Sequence, residues 1–254
     1  MGKPRIQRIG SKLTKAKLLM KNSTLINNHP DTKKLTEQTL KDMLSTYRVV
    51  FIKPIYGMHG NGVMRAEARE ENYQLRSGAR TMNFADFTSF YNAVKKRTAR
   101  KPYMVQKGIH LLKYNNRPFD IRIMVQKNQK NKWEVSGKLC RVAHPKKVVT
   151  NVLRGGQVMS LTKLLPRYAS KEKREHLLTK LNQLGLKTAK HLESKYPRIK
   201  ELGMDVAIDS QLKPWILEVN TMPDLYLFCR LKDRRMFTRI LQNARAYGRV
   251  KSKS

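Results

Sequence analysis

The sequence predicts an α+β fold built on mostly antiparallel sheets. Runs rich in β-branched residues follow one another as adjacent pairs, at 48–54 with 63–67 and at 121–126 with 133–142. Apolar residues at helical spacing occur between these pairs and not after every strand. Because repeating strand–helix–strand units are absent from the pattern, we do not expect a doubly wound parallel sheet.

The first half of the chain alternates short helices with hairpins. Ser11 is a favourable N-cap, so the basic N-terminal stretch is expected to become helical there. Pro54 ends a strand because it cannot donate to a sheet ladder. We therefore expect helices at 11–21, 36–44 and 84–97, and strands at 48–54, 63–67, 72–76 and 103–106.

The second half is expected to form a separate sheet flanked by one long helix. Residues 121–126 and 133–142 alternate apolar and polar side chains across a turn, which is typical of an antiparallel pair. Two further strands are expected to pair with each other, and a helix closes the domain. These segments are strands at 202–208 and 215–219, a long charged helix at 171–194 and a closing helix at 236–247.

The charge is the most unusual bulk property. The 254 residues include 54 Lys and Arg against 18 Asp and Glu, a formal net charge of +36. A positive charge of this size attracts phosphates, nucleic acid, anionic polymers or acidic peptides. No basic motif with interleaved aromatic residues accompanies the charge, so nucleic-acid binding and a solvated surface suited to an anionic environment stay open as alternatives.

Other classes of protein are disfavoured by what the sequence lacks. Cys140 and Cys229 form no CxxC pair, which argues against a zinc site and a disulfide framework. No apolar run of about 18 residues predicts a transmembrane helix, and no apolar segment follows the basic N-terminus as in a secretory signal. We expect an intracellular, cytoplasmic protein.

A candidate metal site lies on the last two strands. Glu218 and Asn220 are two residues apart and therefore share a face, and Asp205 on a paired strand can face them. Three oxygen ligands on rigid strands, completed by phosphates, suit Mg²⁺. The alternative is that Lys and Arg neighbours neutralise these acids without any metal.

A glycine-rich loop follows the first predicted strand. Lys53 at the strand end can reach phosphate oxygens as a point charge, and Gly57, Gly60 and Gly62 let backbone N–H groups close over phosphates. The loop is not a Walker A motif, because no GK[ST] follows it. An ordinary glycine turn in a hairpin is the alternative.

Two further groups of residues can hold an anion. Asp120 and Arg122 share a face of one strand, and a guanidinium can fork onto phosphate oxygens. Arg141, Asn151 and Arg154, the last two beside a Gly-Gly pair, are candidates to hold an acyl phosphate or an acidic substrate. The alternatives are a surface ion pair and a turn with solvated arginines.

Taken in order, these motifs resemble the ATP-grasp superfamily, and most closely the YheC/YheD family of spore-coat-associated ATP-grasp proteins. The resemblance runs from about Ser11 to Pro223. The matching stretches are VFIKPIYGMHGNG (50–62), VQKGIHLL (105–112), RPFDIRIMVQK (117–127), TNVLRGG (150–156), ELGMDVAID (201–209) and WILEVN (215–220).

The resemblance implies two subdomains that clasp ATP between them. They would comprise about 36–107 with a glycine-rich lid at Tyr56 to Gly62, and about 108–230 with the metal site. A basic arm (1–11) would precede the ATP-grasp domain at 12–230, and a C-terminal helix with a basic tail (231–254) would follow it. The metal site would hold one or two Mg²⁺ ions on Asp205, Glu218 and Asn220.

The resemblance also implies individual roles for residues of the nucleotide site. Lys53 and, on a weaker local match, Lys12 would contact ATP phosphates, and Arg122 would hold the transferred phosphate. Asp120 belongs to the same nucleotide-binding group. The adenine would be read by the hinge backbone and packed by two apolar side chains. These are Gln106, Lys107, Gly108 and Ile109 in the hinge, with Leu217 and Met124 against the ring.

The resemblance implies a ligase that activates a carboxylate through an acyl phosphate, and the positive charge favours an acidic peptide or anionic polymer as substrate. Such enzymes usually have another domain before this region, so we expect a partner to supply it. The resemblance adds association with a spore coat to the expected localisation. The alternatives are a non-catalytic or regulatory protein of a coat or anionic surface, and a nucleic-acid-binding protein driven by charge.

Overall fold

Two antiparallel sheets with helices packed on them make up the computed structural model, which describes residues 6–57, 60–143 and 156–251. The predicted α+β class is therefore confirmed. In the first sheet the strands lie side by side in the order 32–34, 103–107, 49–54, 64–68, 73–77 and 80–84. In the second sheet the order is 157–159, 133–142, 117–127, 201–208 and 214–220, and the short strand 113–114 also pairs with 117–127. Of the predicted site residues, Asn151 lies outside the described residues, as do Arg154 and two lid residues, Met58 and His59.

The first sheet carries two helices on one face. Alternate residues such as Val50 and Ile52 point into an apolar core that α2 and α3 cover. The other face carries Lys53 and Gln106, together with the buried apolar Met104. The elements are β1 (Thr32–Lys34), α2 (Glu37–Tyr47), β2 (Val49–Pro54), β3 (Met64–Ala68), β4 (Tyr73–Ser77), β5 (Arg80–Phe84), α3 (Phe87–Thr98) and β6 (Tyr103–Lys107).

The prediction for 84–97 is wrong at its start. Residues Arg80–Phe84 form a strand that pairs with β4, and the helix begins only at Phe87. Asp86 is extended, with φ of −134°, and its side chain accepts a hydrogen bond from the Ser89 N–H at 2.8 Å. This N-cap sets the start of the helix. The first sheet also includes β1, which precedes the expected subdomain boundary at 36.

The second sheet contains the longest strands, and the helix α5 (Lys171–Glu193) covers one of its faces. Phe119, Ile121 and Ile123 alternate along β8 and pack into the largest apolar cluster, together with residues of α5. The elements are α1 (Lys12–Met20), β7 (Lys113–Tyr114), β8 (Arg117–Lys127), β9 (Trp133–Val142), β10 (Gln157–Met159), α4 (Leu161–Leu164), α5 (Lys171–Glu193), β11 (Glu201–Ile208), β12 (Pro214–Asn220) and α6 (Arg235–Ala246). Within the described residues, no helix has the length and hydropathy to cross a membrane.

The opposite face of the second sheet is divided in two. One half carries Met124 and Leu139 under α6 in a separate apolar cluster. The buried carboxylate of Glu201 accepts hydrogen bonds from the Tyr247 hydroxyl and from Arg249 Nε, both at 2.8 Å, which anchors the end of α6. The other half of this face is polar and faces the first sheet.

Residues 6–11 pack against the second sheet and do not project as an arm. Ile9 is buried, and its N–H donates to the Thr221 hydroxyl at 2.8 Å. The Gln7 N–H donates to the Arg198 carbonyl at 3.0 Å. Ser11 caps α1 as expected, and the Lys12 N–H donates at 2.9 Å to the carbonyl of Ile55, the residue that follows the strand Val49–Pro54 of the first sheet. This segment therefore joins the two halves of the protein.

Replacing Gly62 with alanine is expected to lower the free energy of unfolding by about 2 kcal/mol. Gly62 has φ of +75°, and an added Cβ would lie 2.7 Å from the Tyr103 hydroxyl and 3.1 Å from Pro54 Cγ. Gly78 is the matched control, because its φ is +59° and no atom lies within 4 Å of an added Cβ. Gly78→Ala should cost only the conformational penalty of about 1 kcal/mol. Equal losses in urea unfolding would contradict the steric account.

Candidate functional site

Six polar side chains lie on the face of the second sheet that looks toward the first. Along each strand they alternate with residues of the large apolar cluster, which fixes their direction. The strand register places Asp205 beside Arg122 on one side and Glu218 on the other. The six are Asp120 and Arg122 on β8, Arg141 on β9, Asp205 on β11, and Glu218 and Asn220 on β12.

A β-bulge aims Glu218 into this face. The register shifts between Asp205, which pairs with Glu218, and Val206, which pairs with Ile216, so Leu217 is the extra residue. Ile216 and Val219 both point into the apolar core although they are three residues apart. Glu218 and Asn220 consequently share the polar face, as the sequence predicts.

The buried acids and arginines form one connected network. Arg122 Nε donates to Asp205 Oδ1 at 2.6 Å, and Arg141 Nη2 lies 2.9 Å from Asp205 Oδ2. Arg141 also makes a bidentate pair with Asp120, at 2.7 and 2.6 Å. Asp120 and Arg122 share a face, but each pairs with a residue of a neighbouring strand.

The arginines control the ionisation of Asp205. Burial alone would raise the pKa of Asp205, but the guanidinium groups of Arg122 and Arg141 lower it to about 2. Burial alone would lower the pKa of Arg141, but its two carboxylate partners, Asp120 and Asp205, raise it. Both groups therefore stay charged, and each Asp205 oxygen is held by one arginine.

Glu218 is the acid most available to a ligand. Its side chain is 26% exposed, and Lys12 Nζ lies 3.7 Å away, beyond normal hydrogen-bond length. Asn220 is half-buried beside it. Within the described residues, no group of three His, Cys, Asp or Glu side chains converges in a way that holds a metal. The oxygen donors here are two carboxylates and one amide.

The first sheet contributes Lys53. It alternates with Val50 and Ile52 on β2 and so points away from the core of the first sheet. Its Nζ donates to Gln106 Oε1 at 2.5 Å, and Gln106 Nε2 donates to the Thr32 hydroxyl at 3.0 Å. Burial lowers the pKa of Lys53 to about 8, while Glu218 acts to raise it. Charges on the second sheet thus act directly on this lysine.

Lys15 is a site residue that sequence reasoning missed. It is 4% exposed, and its Nζ donates to the Ile9 carbonyl at 2.9 Å. Burial lowers its pKa to about 8, with Glu218 raising and Lys12 lowering it. In a chain with 54 basic residues, a lysine three positions after Lys12 carried no distinguishing signal. Lys12 therefore lies beside Glu218, and Lys15 and Lys53 are close enough to feel its charge.

The hinge at 106–109 connects the sheets. The backbone of Gln106 is not free to read a base, because β6 lies between β1 and β2 and pairs with both. The N–H groups of Lys107 and Gly108 donate to the carbonyls of Asp31 and Val49, both at 2.9 Å. Among the described residues, no backbone carbonyl accepts a hydrogen bond from the Ile109 N–H.

Other contacts at the hinge fix its position. Lys107 Nζ lies 4.9 Å from the ring centroid of Tyr47 and 5.5 Å from that of Trp215, which links the first sheet to β12. A Cβ on Gly108 would lie 2.9 Å from the Val49 carbonyl oxygen, so no larger residue fits at this position without a shift.

The remaining predicted residues differ in their placement. Leu217 is half-buried on the polar face, where a ring can pack on it. The expectation for Met124 is wrong, because it has no exposed surface and packs under α6. In the lid, Gly57, Gly60 and Gly62 all have positive φ, at 126°, 68° and 75°, so each uses the conformational freedom of glycine.

Solved structures of other proteins share the fold of this chain. The D-alanine-D-alanine ligase from Coxiella burnetii matches with a TM-score of 0.52 and 14% identity, covering 94% of this chain and 58% of that chain. D-cycloserine synthetase DcsG matches with a TM-score of 0.57 and 12% identity, covering 92% and 69%. These likenesses show the ATP-grasp fold.

The sequence comparison is more specific. A model of the YheC/D-like ATP-grasp family matches residues 6–250, and the chain belongs to this family. The endospore coat-associated protein YheD of Bacillus subtilis (strain 168) is 26% identical over 198 residues, 75% of this chain and 43% of that protein. YheC of the same strain is 24% identical over 210 residues, 80% of this chain and 57% of that protein. The chain thus spans about half the length of these relatives.

Proposed function

We propose that the protein binds Mg-ATP between its two sheets and uses it to activate a carboxylate, as an ATP-dependent ligase. One observation carries the proposal: Lys12 Nζ lies 3.7 Å from Glu218, and the charge of Glu218 also acts on Lys15 and Lys53, next to Asn220 and the arginine network. Three ammonium groups near one carboxylate leave excess positive charge in a partly desolvated cleft, which favours a triphosphate.

Each part of the nucleotide has a matching group in the cleft. The phosphates lie against Lys53 and Lys12, whose ammonium groups act as point charges. The glycine loop closes over them with backbone N–H groups. The adenine lies at the hinge, where the Ile109 N–H donates to a ring nitrogen and Leu217 packs on the ring face.

The donor set fits Mg²⁺, which prefers oxygen ligands and is usually completed by phosphates and water. Glu218 and Asn220 would hold the ion, and Asp205 would join them by giving up part of its pairing with Arg122 or Arg141. The bound ion would neutralise charge on the phosphates of the nucleotide. Asp120, which pairs with Arg141, acts as a positioning residue.

The reaction would proceed in two transfers. A carboxylate oxygen of the substrate attacks the γ-phosphorus, the bond to the β-phosphate oxygen breaks, and ADP leaves. An amine then attacks the acyl carbon, inorganic phosphate leaves, and the amine loses a proton. Arg122 would stabilise charge on the transferred phosphoryl group, and Arg141 with Asn151 would hold the acyl phosphate.

The charge and the relatives suggest the substrate class. A net charge of +36 favours an acidic peptide or an anionic polymer as the carboxylate donor. The relatives YheC and YheD carry the description endospore coat-associated, so we extend a spore-coat location to this protein as part of the proposal.

The ligase proposal is tested by coupling ADP release to the carboxylate. Poly-glutamate with a free amine as acceptor should raise ADP release in the wild-type protein, and mass spectrometry should find the amide product. Glu218→Ala should abolish both while the fold survives, as judged by circular dichroism. Turnover that is unchanged in Glu218→Ala would refute the site assignment.

One observation favours a second candidate function. Both oxygens of Asp205 are held by arginines, as expected for a structural or regulatory site that binds nucleotide without turnover. Such a protein would bind ATP and release no ADP with any carboxylate. ADP release in the poly-glutamate assay therefore separates the two functions.

Affinity for ATP should fall as pH rises above 8. The pKa values of Lys53 and Lys15 are both about 8 in the free protein, so each loses its positive charge above that pH. Phosphate binding favours the protonated form, so the dissociation constant should rise roughly fivefold per lysine between pH 8 and pH 9. Lys53→Met should show a shallower profile than the wild type, and parallel profiles would contradict the role of Lys53.

A further inference from the structure

A second polar cavity lies on the side of the protein away from the nucleotide cleft. It has a volume of about 410 Å³, within the size range of small-molecule sites. Its walls come from the segment after α1, from the exposed side of α5, and from the turn between β11 and β12. The lining is Thr24, Asn28, Lys180, Gln183, Leu184, Lys187, Gln211, Leu212, Lys213 and Pro214.

The lining carries three positive charges and no acid. Lys180 and Lys187 are seven residues apart on α5, so they project from the same side about 10 Å apart. Lys213 lines the cavity from the turn, and its Nζ lies 4.1 Å from the ring centroid of Trp215. Across the described ranges, none of these three ammonium groups forms an ion pair. Amides of Asn28, Gln183 and Gln211 add neutral polar groups.

The turn that presents Lys213 is held rigidly. Asp209 Oδ1 accepts from the N–H groups of Gln211 and Lys213 at 3.0 and 2.9 Å, and Asp209 Oδ2 accepts from Trp215 Nε1 at 2.8 Å. Leu212 sits at φ of +59°, a conformation that leucine rarely adopts. The carboxylate of Asp209 is thus directed toward the turn, and Asp209 is not among the residues that line the cavity.

We infer that this cavity binds a small phosphate-bearing anion, at a site distinct from the nucleotide cleft and independent of the proposed ligase activity. Lysines lining one cavity suit a phosphate group, since each ammonium acts as a point charge toward the phosphate oxygens. Amide N–H groups of Gln183 and Gln211 can donate to the remaining phosphate oxygens.

Calorimetric titration with inorganic pyrophosphate tests the inference. All proteins would carry Lys53→Gln, which removes a phosphate-binding lysine from the nucleotide cleft. In this background, Lys180→Gln/Lys187→Gln should bind pyrophosphate at least 10-fold more weakly than the parent, since charge-assisted hydrogen bonds are lost. Lys173→Gln/Lys190→Gln is the matched control, because it removes the same charge from exposed positions of α5 outside the cavity.

The control pair should retain the affinity of the parent. If the parent binds no pyrophosphate, or if the two double variants weaken binding equally, the cavity is not an anion site and the inference is overturned. Matching thermal unfolding midpoints among the three proteins would establish that any difference comes from the cavity.

Discussion

Lys53→Met is expected to weaken ATP binding about 100-fold, the equivalent of one strong charge-assisted interaction with the phosphates. Lys53 is fixed by its hydrogen bond to Gln106, at 2.5 Å, and points from the first sheet toward Glu218. Methionine keeps much of the length of the side chain and removes the charge. Isothermal titration with Mg-ATP measures the change directly.

Lys33→Met is the matched control for this experiment. Lys33 lies on β1 of the same sheet, is 49% exposed and reaches Asp31 only at 4.0 Å. It should bind ATP with wild-type affinity, because an exposed charge is screened by solvent and salt. If both variants lose affinity equally, the effect comes from net charge and the assigned phosphate contact of Lys53 is incorrect.

Asp120→Ala is expected to have the largest effect on stability, lowering the free energy of unfolding by about 3 kcal/mol. Asp120 is 2% exposed and accepts two hydrogen bonds from Arg141, which is itself buried. Without Asp120, the buried guanidinium of Arg141 keeps Asp205 as its remaining carboxylate partner. Urea unfolding followed by circular dichroism measures the loss.

Asp233→Ala is the control, because it breaks an ion pair of the same chemistry at the surface. Arg235, its partner, is 91% exposed, and exposed pairs of this kind contribute little. We expect only a small loss of stability for this variant, because Asp233 Oδ1 also accepts a hydrogen bond from the Arg235 N–H at the start of α6, at 3.0 Å. If Asp120→Ala unfolds at the same urea concentration as Asp233→Ala, the buried network does not stabilise the fold as described.

Sequence patterns were sufficient where local rules decide the outcome. The i, i+2 spacing of Glu218 and Asn220 places them on one face, and Ser11 begins α1 as its capping preference predicts. The alternation at 121–126 and 133–142 identifies the central hairpin of the second sheet. Each of these depends only on residues close in sequence.

Features that depend on strand register or on long-range packing could not be predicted from local sequence patterns. The pairing of Arg141 with Asp120 and Asp205 requires the registers of three strands. The bulge at Leu217, which aims Glu218, has no glycine or proline to mark it. Burial of Met124 depends on α6, which lies more than 100 residues later in the chain.

The most direct test of the central claim is a titration of ATP into the wild-type protein and into Glu218→Ala, each with and without Mg²⁺. Glu218 is the most exposed acid of the site, and its removal leaves the Asp120–Arg141–Asp205 network intact. We expect micromolar, Mg²⁺-dependent binding to the wild type and loss of that dependence in Glu218→Ala. ATP binding that is absent from the wild type, or equally Mg²⁺-dependent in both proteins, would contradict a metal–nucleotide site between the two sheets.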